Sequence, residues 1–273
     1  MDRNPIFSLR GVEYTYPGAS SPALRGLDLE ISEGEWVALV GANGSGKSTM
    51  AKICNALLIP TQGHCFVMGC DTRDEALVPA IRRSVALVFQ NPDDQIVASI
   101  VEEDVAFGPE NLGLPSPEIR RRVDRSLELA GLTALRRSGS FSLSGGQKQR
   151  LALAGALALE PAALLLDESA SMLDPEGRLS FLSCLGSLKR SGMTIVQITH
   201  RMEEAIQSDR VVVIDSGRAV WDGSPGDFFD GEYEKWSFEE PPGIALYREL
   251  LARGLLPGGT LPDADSMLDA LCL

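Results

Sequence analysis

The 273-residue sequence predicts an α/β fold with a β-rich N-terminal subdomain, a helical subdomain and a small C-terminal helical appendage. Three observations predict it. A glycine-rich stretch, Gly41-Ala-Asn-Gly-Ser-Gly-Lys47-Ser48-Thr49, lies between a short apolar run at 36–40 and a helix-competent run at 50–58. Two further apolar runs end in polar residues: 162–166 leads into Asp167-Glu168, and 194–199 into His200. Continuous apolar runs of this length suit buried parallel strands, whose C-terminal ends carry ligands in open α/β sheets. Between these runs, residues 99–136 take helical spacing, punctuated by Pro109, Pro115 and Pro117.

In chain order, Val12, Tyr14 and Tyr16 alternate with polar residues, as do Leu27, Leu29 and Ile31, with turn residues Pro17-Gly18 and Ser21-Pro22 between. This pattern predicts antiparallel strands over 7–31. Strands follow at 36–40, 65–68 and 84–89, the last stopped by Gln90-Asn91-Pro92. Val123, Leu127 and Ala130 fall on one helical face, and Leu143-Ser-Gly-Gly-Gln147 opens a helix running to 159. Residues 210–214 and 218–221 flank Asp215-Ser216-Gly217 as a hairpin. Past Trp221 the composition shifts to Gly, Pro, acidic and aromatic residues. There Ile244, Tyr247, Leu250, Leu251 and Leu255 share a helical face, and 267–271 fits a final short helix. The expected organisation is a domain over 6–225, with its helical subdomain at about 95–160, and an appendage over 226–273.

Composition narrows the function. With 25 basic and 38 acidic residues the net charge is −13, and no long basic tract offsets it, which argues against nucleic acid as a partner. The triplet 120–122 reads as a solvated arginine face. Five cysteines without a C-x-x-C pair suggest neither a disulfide framework nor a zinc site, and fit a reducing cytoplasm. The N-terminus lacks a signal-peptide core. The longest strongly apolar stretch, 151–159, falls well short of a bilayer span.

The glycine-rich stretch is G-x-x-x-x-G-K-[ST], a phosphate-binding loop. Glycines let backbone N–H groups turn inward on phosphate oxygens at a helix N-terminus, whose dipole favours anions. Gly41, Asn43, Gly44, Ser45 and Gly46 would form that cradle. Lys47 would reach the β- and γ-phosphates, Ser48 would ligate Mg2+, and Thr49 would add a phosphate contact. At the strand end, Asp167 would hold the Mg2+ shell while Glu168 polarises the attacking water as general base. Gln90 can touch Mg2+ or that water, and His200 can bond the γ-phosphate and position the water. An aromatic face at Tyr16 could stack on adenine. His64 keeps a structural role.

Leu143-Ser-Gly-Gly-Gln147, placed between a phosphate loop and an Asp-Glu strand end, resembles the signature of the ATP-binding cassette (ABC) ATPases, which are P-loop NTPases. All six motifs stand in the family's order: Tyr16, 41–49, Gln90, 143–147, 164–168 and His200. Ser171-Met-Leu-Asp174 is similar to the family's D-loop. The resemblance implies an ATPase using ATP and Mg2+. It also implies a head-to-tail dimer in which Ser144, Gly145, Gly146, Gln147 and Asp174 serve the nucleotide of the other cassette. Within the family, the stretches 88–95, 101–108, 143–155 and 167–175 resemble ATPases of energy-coupling factor (ECF) transporters. Asn91 and Ser171-Met172 are closer to the first of their two paralogous subunits. Ser169-Ala170 departs slightly from the usual residues beside the glutamate.

That resemblance implies an importer of a vitamin or transition-metal ion. This chain would lie peripherally on the cytoplasmic face of the membrane, with a second cassette (a copy or a paralogue), an integral-membrane scaffold and a substrate-binding membrane subunit. Asp93, Asp94, Glu102, Glu103 and Asp104 are expected to form an acidic surface that receives the scaffold. A soluble ABC ATPase uncoupled from transport, and a nucleotide binder without turnover, stay open as rivals.

Overall fold

The computed structural model describes residues 5–236 and 238–254, and it arranges them around two sheets. The first is antiparallel and contains β1 (Pro5–Tyr14), β2 (Leu24–Ser32), β4 (Gln62–Val67) and β5 (Cys70–Asp71), in the order β2-β1-β4-β5. The second contains β3 (Trp36–Val40), β6 (Val85–Val88), β7 (Ala163–Asp167), β8 (Thr194–Ile198), β9 (Arg210–Asp215) and β10 (Arg218–Gly223), in the order β10-β9-β3-β8-β7-β6. Its strands run parallel except β10, which returns along β9 as the second arm of a hairpin. Strands β3, β6, β7 and β8 are buried along their whole length, as their unbroken apolar runs require.

Each face of this sheet has its own packing. Alternate residues Val37, Leu39, Leu165 and Val196 join β1, β2 and β4 with helix α1 (Lys47–Cys54). Residues of the opposite parity, Leu164, Leu166 and Ile195, meet helices α5 (Gly145–Ala158) and α6 (Pro175–Arg190). Helices α3 (Val101–Asn111) and α4 (Ser116–Leu129) close a separate core around Val101, Val105, Val123, Leu127 and Leu151. Helix α5 belongs to both cores: Leu153, Ala156 and Leu157 face the sheet, while Leu151, Ala154 and Ala158 face α3 and α4. That is why its sequence is apolar nearly all round.

Several boundaries differ from the pattern reading. The helix expected at 50–58 stops at Cys54. Ala56 turns to φ 55°, and the N–H groups of Leu57 and Leu58 fold back on the Lys52 carbonyl. The pattern reading does not include α2 (Val78–Ser84), which shortens the following strand, α6, or the short helix at Met202–Ala205. Strand β4 starts at Gln62 and ends before Met68, which has φ 50°. Beyond β10, short helical turns and the helix Pro242–Ala252 seat Phe228, Phe229, Tyr233 and Ile244 against β3, β9 and the short helix α7 (Met202–Ala205). Leu255 and the helix expected at 267–271 lie outside the described residues. No described helix is long and apolar enough to cross a membrane.

Candidate functional site

The loop 41–49 joins β3 to α1, and its glycines are required sterically. Gly41 has φ +147°, and a Cβ there would lie 2.1 Å from the Ile214 carbonyl oxygen. Gly46, at φ +112°, immediately precedes α1, where a Cβ would stand 2.7 Å from the Ala23 carbonyl. The turn of the β9–β10 hairpin grips the loop from behind, with the Gly217 N–H donating to the Ser45 carbonyl at 2.9 Å and its own carbonyl accepting from Arg25 N–H at 3.0 Å. Asn43 and Gly44 form the exposed crest.

Lys47 Nζ donates to the carbonyls of Gly41 and Ala42, both at 2.8 Å, so the ammonium is held over the loop although the residue is only 4% exposed. Burial pushes its pKa below the usual lysine value, against the pull of Glu168 and Asp167. Ser48 Oγ donates to Asp167 Oδ1 at 2.9 Å, which brings the first helical turn of the loop to the end of β7. Asp167 is buried, and this desolvation raises its pKa against the opposing Ser48 hydrogen bond and the lysines 47 and 52.

Glu168 occupies the left-handed region at φ 50° and donates its N–H to the Ile198 carbonyl at 3.1 Å. A non-glycine residue there is strained, and the cross-strand bond holds it in place. Its carboxylate stands between two groups from neighbouring strand ends. Gln90 Nε2 donates to Oε2 at 2.9 Å, and His200 Nε2 lies 2.5 Å from Oε1. Three strand ends in adjacent positions of one sheet thus converge on one carboxylate. The Tyr16 hydroxyl lies 3.1 Å from Thr49 Oγ1, and its ring stands edge-on to Tyr14 with centroids 4.9 Å apart, which places a partly exposed aromatic at the loop's flank.

The signature residues sit elsewhere. Ser144 caps α5 in a reciprocal box, accepting from Gln147 N–H at 3.3 Å while its own N–H donates to Gln147 Oε1 at 2.9 Å. Gly145 has open space around it, and Gly146 packs on Leu173. Asp174 caps α6 by accepting from Gly177 N–H at 2.7 Å. Among the described residues, no hydrogen bond joins Ser144, Gly145, Gly146, Gln147 or Asp174 to the loop 41–49.

Pattern reading missed the groups that tie the two regions together. Gln149, fully buried on α5, donates to the Phe89 carbonyl at 3.2 Å, and Lys148 Nζ lies 2.6 Å from Asp93 Oδ1. Gln95 accepts from Phe89 N–H at 2.8 Å and donates to the Leu87 carbonyl at 3.1 Å, which closes the segment after Gln90 into a loop. The only signal was their place inside the motif stretches. The acidic surface also needs correction: Asp104 is buried and accepts from the N–H groups of Val97 and Ala98, at 2.7 and 2.9 Å, and so ties the segment before α3 to the helix's first turn. Glu102 pairs with Arg136. Beside these groups an open groove of about 310 Å³ separates the sheet from the helical subdomain, with Leu57, Val97 and Phe107 as its exposed apolar walls.

A family model described as ABC transporter matches residues 24–171. The chain is 48% identical to the energy-coupling factor transporter ATP-binding protein EcfA1 of Symbiobacterium thermophilum, over 98% of this chain and 97% of that protein. It is 44% identical to the EcfA1 of Clostridium novyi, over 100% and 99%. Among solved structures, cbiO1 of Clostridium perfringens, part of the ABC transporter complex cbiONQ, superposes with a TM-score of 0.77 at 33% identity, covering 90% of this chain and 99% of that one. A dimeric ATP-binding cassette in a post-hydrolysis state with ADP and Pi gives 0.74 at 30% identity, over 80% and 98%.

Proposed function

Since the chain belongs to the ATP-binding proteins of energy-coupling factor transporters, within the ABC transporter family, we propose that it hydrolyses ATP to drive import of a vitamin or transition-metal ion through membrane partner subunits. The observation that carries the catalytic part is Glu168, strained at its backbone and held at both carboxylate oxygens by Gln90 and His200 beside the phosphate loop.

The loop's backbone N–H groups and Lys47 take the phosphates. Releasing Lys47 from two backbone carbonyls onto phosphate oxygens exchanges weak neutral acceptors for charged ones, so nucleotide recruits a group already in position. Glu168 accepts the proton of the attacking water. His200 and Gln90, each one hydrogen bond from that carboxylate, orient it and line the γ-phosphate position. Mg2+ prefers hard oxygen ligands with one or two carboxylates, and the Ser48 hydroxyl and Asp167 carboxylate, 2.9 Å apart, fit it, with the Gln90 amide bonded to the adjoining Glu168. When bound, the ion neutralises charge on the phosphates. Tyr16 supplies the adenine face.

Ser144, Gly145, Gly146, Gln147 and Asp174 serve the nucleotide held by a second cassette. The exposure of Ser144, Gly145 and Asp174 at the start of α5 and α6 supports this reading, as do the residues' lack of ties to the chain's own loop and the dimeric state of the solved cassette. The second cassette is a copy or a paralogue. The groove lined by Leu57, Val97 and Phe107 is where a membrane scaffold element docks. It lies against Gln95, whose side chain holds the segment behind Gln90, so occupancy of the groove reaches the carboxylate site. The chain then lies peripherally on the cytoplasmic face of the membrane. The relatives' transporter names and this apolar groove support that reading over a soluble ATPase.

The test is Glu168→Gln. ATP binding persists while turnover drops about 10²-fold or more. Near-normal phosphate release from the variant would contradict the base assignment.

A further inference from the structure

A buried polar chain runs beneath the site. Trp36 Nε1 donates to Gln197 Oε1 at 3.1 Å, and Gln197 Nε2 donates to Glu204 Oε2 at 2.8 Å. Glu204 is only 3% exposed, yet its second oxygen, Oε1, accepts no hydrogen bond. It faces Arg178 Nε at 3.9 Å, and that donor is also buried and unpartnered. Arg178 meanwhile donates from its Nη2 to the Leu173 carbonyl at 3.0 Å. A guanidinium and a carboxylate this near normally close into direct hydrogen bonds, so two open polar atoms facing each other mark a contact that is half made. Burial pushes the Glu204 carboxyl above the usual range, against the pull of Thr199, Arg178, Arg201 and Gln197.

The two ends of this contact lie on functionally distinct segments. Arg178 stands in the first turn of α6 and holds the carbonyl next to Asp174, on the loop expected to reach the second cassette. Glu204 stands on α7, one turn after His200, and shares with Glu168 and His200 a cavity of about 110 Å³.

We propose that Arg178 and Glu204 are positioning residues for hydrolysis, a buried pair whose closure fixes the 169–174 loop and His200 relative to each other. Arrival of the second cassette at Asp174 is thereby registered beside Glu168. The proposal rests on the reading of the chain as a cassette ATPase with sites shared between two cassettes. A pair with only structural importance would change stability and leave turnover per folded molecule alone.

The experiment uses Arg178→Lys, which keeps charge but loses the planar fork, and Glu204→Gln, which keeps an acceptor for Gln197 but loses charge. Each is made in the chain assembled with its second cassette and membrane subunits, and compared with unmodified protein for thermal unfolding, ATP affinity, kcat, KM and Hill coefficient. The expected result is a fall in kcat of roughly fivefold to thirtyfold, with KM within about twofold and a Hill coefficient moved toward one. The double variant should be no slower than the slower single one, because both break the same contact. Folded variants whose kcat stays within twofold of the parent overturn the proposal. So do additive losses, or a failure of both conservative variants to fold, which would make the pair structural. Absence of hydrolysis in the unmodified assembly would instead contradict the ATPase reading itself.

Discussion

The phosphate loop and the signature segment are both glycine-bearing helix starts in the same chain, yet they are built in opposite ways. The loop is clamped. Gly41 and Gly46 have no room for a Cβ, the hairpin turn at Gly217 braces Ser45, Lys47 is buried, and Ser48 is bonded to Asp167. The signature is free-standing: among the described residues the side chains of Ser144 and Gln147 bond only each other's backbone N–H, and a Cβ at Gly145 would meet nothing within 4 Å. A site that binds alone needs preorganisation, whereas half a site that meets its ligand across a chain boundary must stay exposed and hold its own helix start in order. The contrast teaches that damage at the loop should reach folding and affinity together, and damage at the signature should reach turnover alone.

The sharpest way to break that contrast is at Gly41. Gly41→Ala drives a methyl into the Ile214 carbonyl at a φ that L residues rarely adopt, and should cost about 3 kcal/mol of stability or more. Chemical denaturation reads this directly, and a variant as stable as the parent would mean that the loop is not clamped. Lys47→Ala comes next. It removes the only ammonium poised over the loop among the described residues, so ATP affinity should drop at least about tenfold, as seen in titration with a fluorescent nucleotide. At the signature, Ser144→Arg fills the open space before Gly145. Turnover of the assembled pair should fall about tenfold or more, while the melting temperature shifts by no more than loss of a helix cap allows, about 1 kcal/mol in stability. Equal damage to folding and turnover would erase the distinction. The smallest effect belongs to Tyr16→Ala, where losing one aromatic face should weaken ATP binding only a few-fold, about 1 kcal/mol. Because Tyr16 also bonds Thr49, Tyr16→Phe separates the hydroxyl from the ring.

The same contrast explains what the sequence could and could not disclose. The loop, the Asp167-Glu168 strand end, Gln90 and His200 are legible because each is a local string at the end of an apolar run, and a sheet of parallel strands brings such ends together on one edge. The helix start is legible from the glycines that precede the run 148–159. What braces these parts is not. The Gly217 turn reaches Ser45 across more than half the chain, Gln149 reaches Phe89 from another core, and the Trp36–Gln197–Glu204 chain joins residues with no shared spacing. Asp104 reads as a surface acid because it stands among other acids, yet it turns inward to satisfy two backbone donors. Such residues are chosen by backbone groups left unpaired in the folded chain, which no periodicity records. Helices α2 and α6 escape periodicity for a related reason: each opens on proline near its start, and α2 buries only Ile81, so little apolar spacing marks it.

On the function proposed here, the clamped loop of one cassette is completed by the free-standing signature of another. The most direct test of this is the mass, by light scattering, of the Glu168→Gln chain with its second cassette, with and without ATP and Mg2+. ATP should convert separate cassettes into a stable pair, and adding Ser144→Arg to the same chain should prevent that pairing while nucleotide remains bound to the loop. A pair that forms equally well with the altered signature, or ATP binding that never changes the mass, would show that the signature does not complete the loop of another cassette.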